Sequence, residues 1–442
     1  MKLVVIGGVA AGMSAASKAK RMIKALDVRV FERSNYVSYG ACGLPYFVQG
    51  LVPQADDLIA RTPQEFKKQG IEAFLRHEVV EIDHKNRFVW VKNLETGKKI
   101  KEGYDKLVIS TGATPVRPPL PGVNLPGVFV VNQVEDGIAI REALDNGAKK
   151  AVIVGGGYIG LEMSEALRAR GLEVTVVEMM ERLVPRMDTM LSEDSTTELQ
   201  AHGVKVMTGT RVQGLEGNDR VRRVVTDAGN LDCDIVILAI GVRPNTGLAQ
   251  SIGVDLGPTG AISVNNRMET SVEDVYAAGD NTESMNLITN KPVYLPLGDI
   301  ANKHGKTAGI VLAGGQAEFH GVVGTAIAKV FDRALATTGL TEAEAKAMGF
   351  DAGSLMIKSL NRAHYIPGKA GFRVKLVWDR SDGRMLGAQV AGAGNDTLRI
   401  DAIAALLYMK GTIDDLRRLD LAYAPPFSPV WDPLLVAANI AK

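Results

Sequence analysis

The start of the chain alternates short apolar runs with a glycine-rich turn and a helical stretch. Lys2 to Ile6 predicts a buried strand, Gly7 to Gly12 a turn, and Met13 to Ile23 a helix. Val28 to Phe31 predicts a second strand, which ends at the acidic residue Glu32. A strand, a glycine turn, a helix and a strand in this order predict one α/β unit.

The same order of elements returns later in the chain. Ala151 to Val154 predicts a strand, Gly155 to Gly160 a turn and Leu161 to Arg170 a helix. Val174 to Val177 predicts the next strand, and it again ends at an acid, Glu178. The sequence therefore predicts two nucleotide-binding units.

Two connecting segments separate these two units, and a third unit follows them. Thr111 to Pro115 and Gly241 to Asn245 are rich in glycine and proline, and we expect both to lack regular structure and to connect domains. From about Val322 the pattern changes to alternating segments such as Ala326 to Val330 and Phe372 to Trp378. This pattern predicts a third, α+β unit.

Charge and cysteine content exclude several classes of protein. The chain has 51 Lys and Arg against 50 Asp and Glu, so we expect no partner of the nucleic-acid or membrane-surface kind. Its two cysteines are too few for a disulfide-stapled secreted scaffold, and neither a signal peptide nor a long apolar span is apparent. We therefore expect a cytoplasmic protein. The six histidines show no ligand spacing, so we expect no metal site.

The second glycine turn carries the full pattern of a dinucleotide site. Gly155, Gly157 and Gly160 let backbone N–H groups approach a pyrophosphate at a helix N-terminus, and Glu178 is placed to hold ribose hydroxyls. A carboxylate there repels a 2′-phosphate, which favours NADH. Arg182 lies near enough in sequence to leave NADPH open.

The first glycine turn departs from the pattern at one position. Gly7 and Gly12 are in place, but Val9 stands where the second glycine is expected. The neighbouring residues Gly8, Ala10 and Ala11 are small and keep the turn slim, and Glu32 closes the unit. We therefore predict a nucleotide site here as well, the alternative being a plain tight turn.

Taken with Ser110 to Ala113, Gly241 to Asn245 and Ala277 to Asp280, the two turns resemble the pyridine nucleotide-disulfide oxidoreductases over essentially the whole chain. The resemblance implies an α/β fold of two Rossmann-like dinucleotide-binding domains, one for FAD and one for NAD(P)H, and a C-terminal α+β dimerisation domain. We expect the FAD-binding domain over residues 1–115 and 244–321, the NAD(P)H-binding domain over 116–243 and the dimerisation domain over 322–442.

The resemblance also implies roles for single residues. Asp280 would hold the ribityl chain of the flavin, Tyr158 would gate its nicotinamide face, and Glu162 would lie beneath that face. The full set of expected cofactor contacts is Gly7, Gly8, Ala10, Ala11, Gly12, Glu32, Thr111, Gly112, Asp280, Gly155, Gly157, Tyr158, Ile159, Gly160, Glu162, Glu178 and Gly241.

Cys42 indicates a branch of that family. No second thiol occurs in the segment that follows it, Gly43 to Phe47, which rules out a dithiol mechanism, and Ser38 to Tyr46 resembles the single-cysteine branch. Peroxidases and many oxidases of that branch have a histidine where this chain has Ala10. The motifs around Tyr365 and Tyr423 resemble those of coenzyme A-disulfide reductases, in which they reach across a dimer interface to the cysteine. A homodimer with shared active sites is therefore implied.

The substrate implied by this branch is coenzyme A disulfide, coenzyme A persulfide or polysulfide. Ser14, Lys18, Arg21 and Ser38 occupy positions where coenzyme A-disulfide reductases contact their substrate, although two cations on a helix also suit a solvated face. The Cys42 thiolate would attack a substrate sulfur, with a tyrosine protonating the departing sulfur and coenzyme A as the released or bound thiol. Reduced flavin would then resolve the product.

Other interpretations of the cysteines remain open at this point. Leu44 and Pro45 are typical of a first helical turn, and a helix N-terminus would lower the pKa of Cys42. Cys42 could instead be a packing residue, which is the interpretation we favour for Cys233. Alternative functions are a water-forming NADH oxidase with a Cys42 sulfenic acid and a flavin-bearing redox sensor with little turnover.

Overall fold

A computed structural model describes residues 1–441. Its strands, numbered β1 to β25 in chain order, are Lys2–Ile6, Asp27–Phe31, Ile71–Phe74, His77–Asp83, Phe88–Asn93, Lys99–Gly103, Lys106–Ile109, Ala113–Pro115, Val128–Phe129, Lys150–Val154, Glu173–Val177, Lys205–Met207, Val212–Glu216, Arg223–Thr226, Gly229–Asp232, Ile235–Leu238, Val242–Pro244, Val275–Ala277, Ser284–Asn286, Lys291–Val293, Ala326–Val330, Arg333–Gly339, Ala352–Leu360, Gly371–Asp379 and Met385–Ala393.

The helices, numbered α1 to α12, are Ala10–Met22, Leu44–Gln49, Pro63–Lys68, Val134–Asp145, Tyr158–Ala169, Thr189–Ala201, Gly247–Gln250, Gly298–Leu312, Glu342–Ala347, Ile400–Tyr408, Ile413–Arg417 and Pro433–Ile440. Over the described residues, none of them is long and apolar enough to span a membrane.

The first glycine turn lies in a five-stranded parallel sheet of order β18-β7-β1-β2-β3. After Lys2, its central strand β1 is apolar and buried, as a strand covered on both faces must be. Strand β18 joins this sheet although it follows the second unit in sequence. The first unit is therefore interrupted and resumed, and α8 of the returning segment packs along α1.

The second glycine turn lies in a sheet of the same kind, with the order β12-β11-β10-β16-β9 and parallel pairing throughout. In both units the helix begins three residues earlier than predicted, at Ala10 and at Tyr158. The reason is that each turn passes directly into the helix without a side-chain cap, so that Gly12 and Gly160 lie in its first turn.

The third unit is an antiparallel sheet of order β21-β22-β25-β24-β23. Strands Ala326–Val330 and Gly371–Asp379 include the two alternating segments that the sequence predicts. The sheet buries a cluster that includes Phe372, Leu376 and Val390 against helices α10 and α12. An α/β fold with a C-terminal α+β unit is thus observed.

One prediction about the connections is wrong. The two segments expected to lack regular structure pair with each other, Ala113–Pro115 running antiparallel to Val242–Pro244. Asn245 adds side-chain contacts, donating from Nδ2 to the Thr111 carbonyl at 2.8 Å. Proline is tolerated because this ladder is an isolated pair of edge strands. The two chain segments that connect the first and second units therefore form one two-stranded antiparallel ladder.

Candidate functional site

The two glycine turns need glycine for steric reasons. Gly7 and Gly155 have φ of +98° and +107°, which L side chains rarely adopt. A Cβ on Gly7 would collide with the Ser110 carbonyl, and one on Gly155 with the Ala239 carbonyl. By contrast, a Cβ on Gly157 would meet nothing within 4 Å, so the turn is tight against the protein and open on its outer side. That open side at the start of α5 suits a pyrophosphate.

The acids at the strand ends first hold the turns themselves. Glu32 accepts backbone N–H bonds from Gly8 at 2.7 Å and Ser34 at 2.8 Å. Glu178 does the same with Gly156 at 2.7 Å and Met180 at 2.8 Å. Each carboxylate oxygen keeps a second lone pair, so both acids are able to accept a ribose hydroxyl as well.

Arg182, which left NADPH open on sequence grounds, is tied down in the structure. It donates from Nη1 to Thr189 Oγ1 at 2.6 Å and from Nη2 to the Pro185 carbonyl at 3.3 Å. These bonds hold the guanidinium against Pro185 and Thr189, which follow Arg182 in the chain.

Asp280 presents a carboxyl that lacks a protein donor among the described residues. It is mostly buried, and this burial raises its pKa to about 6. A carboxyl in this state is suited to ligand hydroxyl groups, which restore the hydrogen bonds lost to burial. The residues present therefore fit a ribityl chain at Asp280.

The loop that carries Asp280 is fixed by a histidine that the sequence analysis missed. His304 of α8 is buried, and burial lowers its pKa to about 4, so it is neutral at physiological pH. Its Nδ1 pairs with Thr282 Oγ1 at 3.0 Å and its Nε2 with Ser284 Oγ at 3.1 Å. The neighbours of His304 along α8 form no motif that indicates this role.

Cys42 lies on a single 3-10 turn, Ala41–Gly43, directly before α2, which begins at Leu44 with proline in its first turn as predicted. The residue is exposed to solvent in the single chain. Its Sγ lies beside the first residue of α8, since a Cβ built on Gly298 would be 3.9 Å from it. The sulfur is thus accessible and faces a second helix N-terminus.

The expected lowering of the Cys42 pKa is wrong. Partial burial and then the carboxylates of Glu162, Asp280 and Asp299 raise the pKa of the thiol. Burial contributes most, and the three acids that converge on the same sulfur add to it, so that together they outweigh the favourable ends of two helices. None of the three is close to Cys42 in sequence, so this environment could not be predicted from the local motif.

Helix α5 brings two further predicted residues to the site. Burial raises the pKa of Tyr158 to about 12, so its hydroxyl stays protonated. Burial and then the charge of Glu165 raise the pKa of Glu162 to about 7. Ile159, between them, is half-buried. Because α5 packs against α2, it presents Glu162 to the region of Cys42.

The predicted substrate contacts lie along α1. Ser14 donates to Asn302 Oδ1 on α8 at 2.7 Å, so these two helices share a polar edge. Lys18 is half-buried and Arg21 exposed, and within residues 1–441 neither forms an ion pair. Ser38 has a φ of +50° and donates its N–H to the Gly8 carbonyl at 2.9 Å. The structure thus brings Ser38 to the first glycine turn and leaves two free cations further along α1.

Tyr365 and Tyr423 come together on the surface of the third unit. Slight desolvation and then the Tyr365 hydroxyl raise the pKa of Tyr423. Neither hydroxyl is bonded to Cys42 within the described part of this chain. Around them the surface exposes three large apolar side chains, those of Phe427, Val430 and Trp431. An apolar aromatic patch of this kind is typical of a protein interface.

Cys233 is the opposite case to Cys42. It is buried in an apolar cluster with Val224 and Val236, and burial raises its pKa to about 12. Such a thiol is neither ionised nor accessible. The interpretation of Cys233 as a packing residue is confirmed.

Replacing Asp280 by asparagine is expected to weaken flavin binding by about tenfold, because a charged acceptor for buried hydroxyl donors is lost. The measurement is the ratio of flavin to protein absorbance after dialysis. The control is Asp299→Asn, which removes an exposed acid also close to Cys42. Full flavin occupancy in the Asp280 variant would contradict its assignment.

Comparison with known proteins identifies the family of the chain. Residues 1–291 match the family model described as pyridine nucleotide-disulphide oxidoreductase, and residues 325–433 match the dimerisation domain of that family. An NAD(P)H coenzyme A polysulfide/persulfide reductase from Pyrococcus horikoshii is 44% identical over 100% of this chain and 98% of its own length. An NADH oxidase from Methanocaldococcus jannaschii is 36% identical over 100% and 98%.

Among solved structures, an NAD-dependent persulfide reductase from A. fulgidus is 41% identical and superimposes with a TM-score of 0.97, over 100% of this chain and 83% of that chain. The family resemblance drawn from the motifs is confirmed. With one family model covering the two glycine turns and the other the third unit, the chain belongs to the pyridine nucleotide-disulphide oxidoreductase family.

Proposed function

We propose that this protein reduces coenzyme A disulfide or a coenzyme A persulfide or polysulfide with electrons from NAD(P)H, through Cys42. The observation that carries the proposal is the single accessible thiol of Cys42, whose sulfur lies beside the first residue of α8. The other cysteine of the chain is buried. The names of the relatives with 44% and 41% identity support the same substrate class.

Members of this family use FAD and NAD(P)H. In our proposal Gly7, Glu32 and Asp280 hold FAD, and Gly155, Gly157 and Glu178 hold the nicotinamide nucleotide. Bound FAD supplies the electron pair, taken from the reduced nicotinamide, that returns a mixed disulfide to thiols.

The chain itself performs the sulfur chemistry. The Cys42 thiolate attacks one substrate sulfur, the substrate S–S bond breaks, and the departing thiolate takes a proton. With coenzyme A disulfide this leaves a mixed disulfide on Cys42, and with a persulfide attack on the outer sulfur leaves a Cys42 persulfide. Lys18 and Arg21, free of ion pairs within residues 1–441, would bind the phosphates of coenzyme A.

The raised pKa of Cys42 sets a requirement on this step. A thiol with a raised pKa is less ionised at neutral pH but more nucleophilic once ionised. The N-terminus of α8, beside which the Cys42 sulfur lies, stabilises the thiolate that forms.

The third unit would complete the site by dimerisation. The exposed patch around Tyr365, Tyr423 and Trp431 is an apolar surface in the unit that matches the dimerisation model. In a two-fold dimer the same patch on each chain would face the partner, so Tyr365 or Tyr423 would protonate the sulfur leaving the partner's active site.

The second candidate is an NADH oxidase, which is the name of the relative with 36% identity. The two functions differ in their oxidant. Anaerobic, saturable consumption of NADH on addition of coenzyme A disulfide supports the reductase. Turnover in air that is as fast as with the disulfide supports the oxidase, and negligible turnover with both supports a redox sensor.

Coenzyme choice gives a separate prediction. Changing Glu178 to glutamine is expected to lower the preference for NADH over NADPH by about tenfold, because one charge repelling a 2′-phosphate is removed. Glutamine accepts only one of the two backbone N–H bonds, and the loss of the other affects both coenzymes alike. The ratio of the two kcat/KM values is measured. The matched control is Glu173→Gln, which removes an exposed charge at the other end of the same strand and should leave that ratio unchanged. An unchanged ratio for Glu178→Gln would mean that another residue distinguishes NADH from NADPH.

A further inference from the structure

The second glycine turn is covered by a segment that follows the strand bearing Glu178. We call residues 181–188 the wall segment. The Val184 N–H donates to the Gly156 carbonyl at 2.9 Å, and a Cβ on Gly156 would overlap Leu183 Cδ2. Leu183 and Val184 are buried. The wall segment therefore packs directly on the turn, so a displacement of one moves the other.

The conformation of the wall segment needs external support. Val184 has a φ of +40°, a left-handed conformation that is rare and unfavourable for a β-branched residue. Such a residue persists only where its surroundings over-determine it. On the turn side it has the bond to Gly156, and Leu183 and Val184 pack in an apolar cluster. A further support lies at the other end of the segment.

That second support comes from the third unit. At the end of the wall segment, Asp188 Oδ2 accepts from Lys375 Nζ on β24 at 2.6 Å. The Asp188 N–H donates to Gln389 Oε1 on β25 at 2.9 Å. One residue of the second unit is thus bound through its side chain to one strand of the third unit and through its backbone to the next.

The contact is shielded from water. The side chains of Lys375 and Asp188 are 13% and 17% exposed, and Gln389 is buried. Lys375 also donates to Glu342 Oε2 at 3.0 Å, and hydrogen bonds from Lys346, Ser354 and Lys375 lower the pKa of Glu342 to about 2. Lys375 therefore faces two acids, and removing its ammonium leaves Asp188 without a charged partner in a site with little water.

We infer that Lys375 and Gln389 are positioning residues for the nicotinamide nucleotide, acting on the second glycine turn through Asp188 and the wall segment. The inference rests on the proposed assignment of that turn to NAD(P)H. It gives the third unit a role besides dimerisation, because a movement of β24 or β25 relative to the second unit would change coenzyme affinity.

The test compares Lys375→Met, Lys375→Arg and Lys346→Met in the flavin-loaded protein. Lys346 contacts the same Glu342 through its ammonium, at 2.6 Å, but is exposed and has no bond to Asp188, so it is the matched control. Two quantities are measured: the dissociation constant of NAD⁺ by calorimetry, and the NADH concentration that half-saturates flavin reduction in rapid mixing. Flavin content and melting temperature report folding.

Lys375→Met is expected to raise the dissociation constant of NAD⁺ and the half-saturating concentration of NADH by about 3- to 10-fold each. The limiting rate of flavin reduction should change little. Lys375→Arg should restore much of the affinity, and Lys346→Met should match the wild type. If Lys375→Met does not fold, Asp188→Asn tests the same contact from the other side and should weaken coenzyme binding in the same range.

Unchanged coenzyme affinity in folded Lys375→Met or Asp188→Asn, beside a wild type that binds NAD⁺, would overturn this inference and leave the proposed function standing. An equal loss of coenzyme affinity in Lys346→Met would also overturn it, since the effect would then come from removing any positive charge near Glu342. A wild type that binds no nicotinamide nucleotide would overturn the proposed function, and this inference with it.

Discussion

Replacing Cys42 by serine is expected to abolish substrate turnover while leaving the reduction of flavin by NADH intact. A serine hydroxyl neither ionises near neutral pH nor forms a bond to sulfur that reduced flavin could cleave, so disulfide or persulfide reduction should fall by at least about 10³-fold. The change leaves in place the residues of the second unit that are proposed to bind the nicotinamide nucleotide, Gly155, Gly157 and Glu178.

Rapid mixing separates the two half-reactions of this variant. Bleaching of the flavin on mixing with NADH should proceed at close to the wild-type rate, and reoxidation by coenzyme A disulfide should be lost. Cys233→Ser is the matched control, because it removes the buried thiol and should retain turnover. Substrate turnover that survives in Cys42→Ser would show that another group carries the sulfur chemistry.

Mixing two inactive variants is expected to restore activity if each active site is shared between chains. One parent carries Cys42→Ser and the other carries Tyr365→Phe together with Tyr423→Phe. In a mixed dimer, one site has neither the cysteine nor the tyrosines, and the other site has both. Random reassociation gives mixed dimers in about half of the population, so about a quarter of wild-type activity should return.

The arrangement of the tyrosines motivates this experiment. Tyr365 is 62% and Tyr423 48% exposed, they interact with each other, and neither is bonded to Cys42 in its own chain over residues 1–441. The control mixes each variant with itself and should stay inactive. Confirmed mixed dimers without recovered activity would refute the shared site.

The glycine turns and their strands could be predicted to within a few residues because their requirements are local. The left-handed φ of Gly7 and Gly155 and the acids that close the two units are visible in the order of residues. The interruption of the first unit was also predictable, since the motif ending at Asp280 resumes it. The domain boundaries themselves stay a prediction.

Features that depend on distant residues were not predictable. The sequence of Ala113–Pro115 or of Val242–Pro244 alone does not indicate a strand. Their pairing becomes apparent only when the fold brings the two segments side by side. The Cys42 motif alone indicated a lowered pKa, whereas burial of the thiol and then acids on α5, α8 and the Asp280 loop raise it. His304 and the contact of Asp188 with Lys375 have no local motif, because their partners are set by tertiary packing.

The most direct test of the proposed chemistry is mass spectrometry of Cys42. The protein is reduced, freed of excess reductant, mixed with coenzyme A disulfide under anaerobic conditions, quenched in acid and digested without reducing agent. The account predicts coenzyme A in disulfide linkage to the peptide that contains Cys42, none on the peptide that contains Cys233, and loss of the adduct when NADH is added before the quench. Undiminished turnover with no adduct on Cys42 at any time would contradict it.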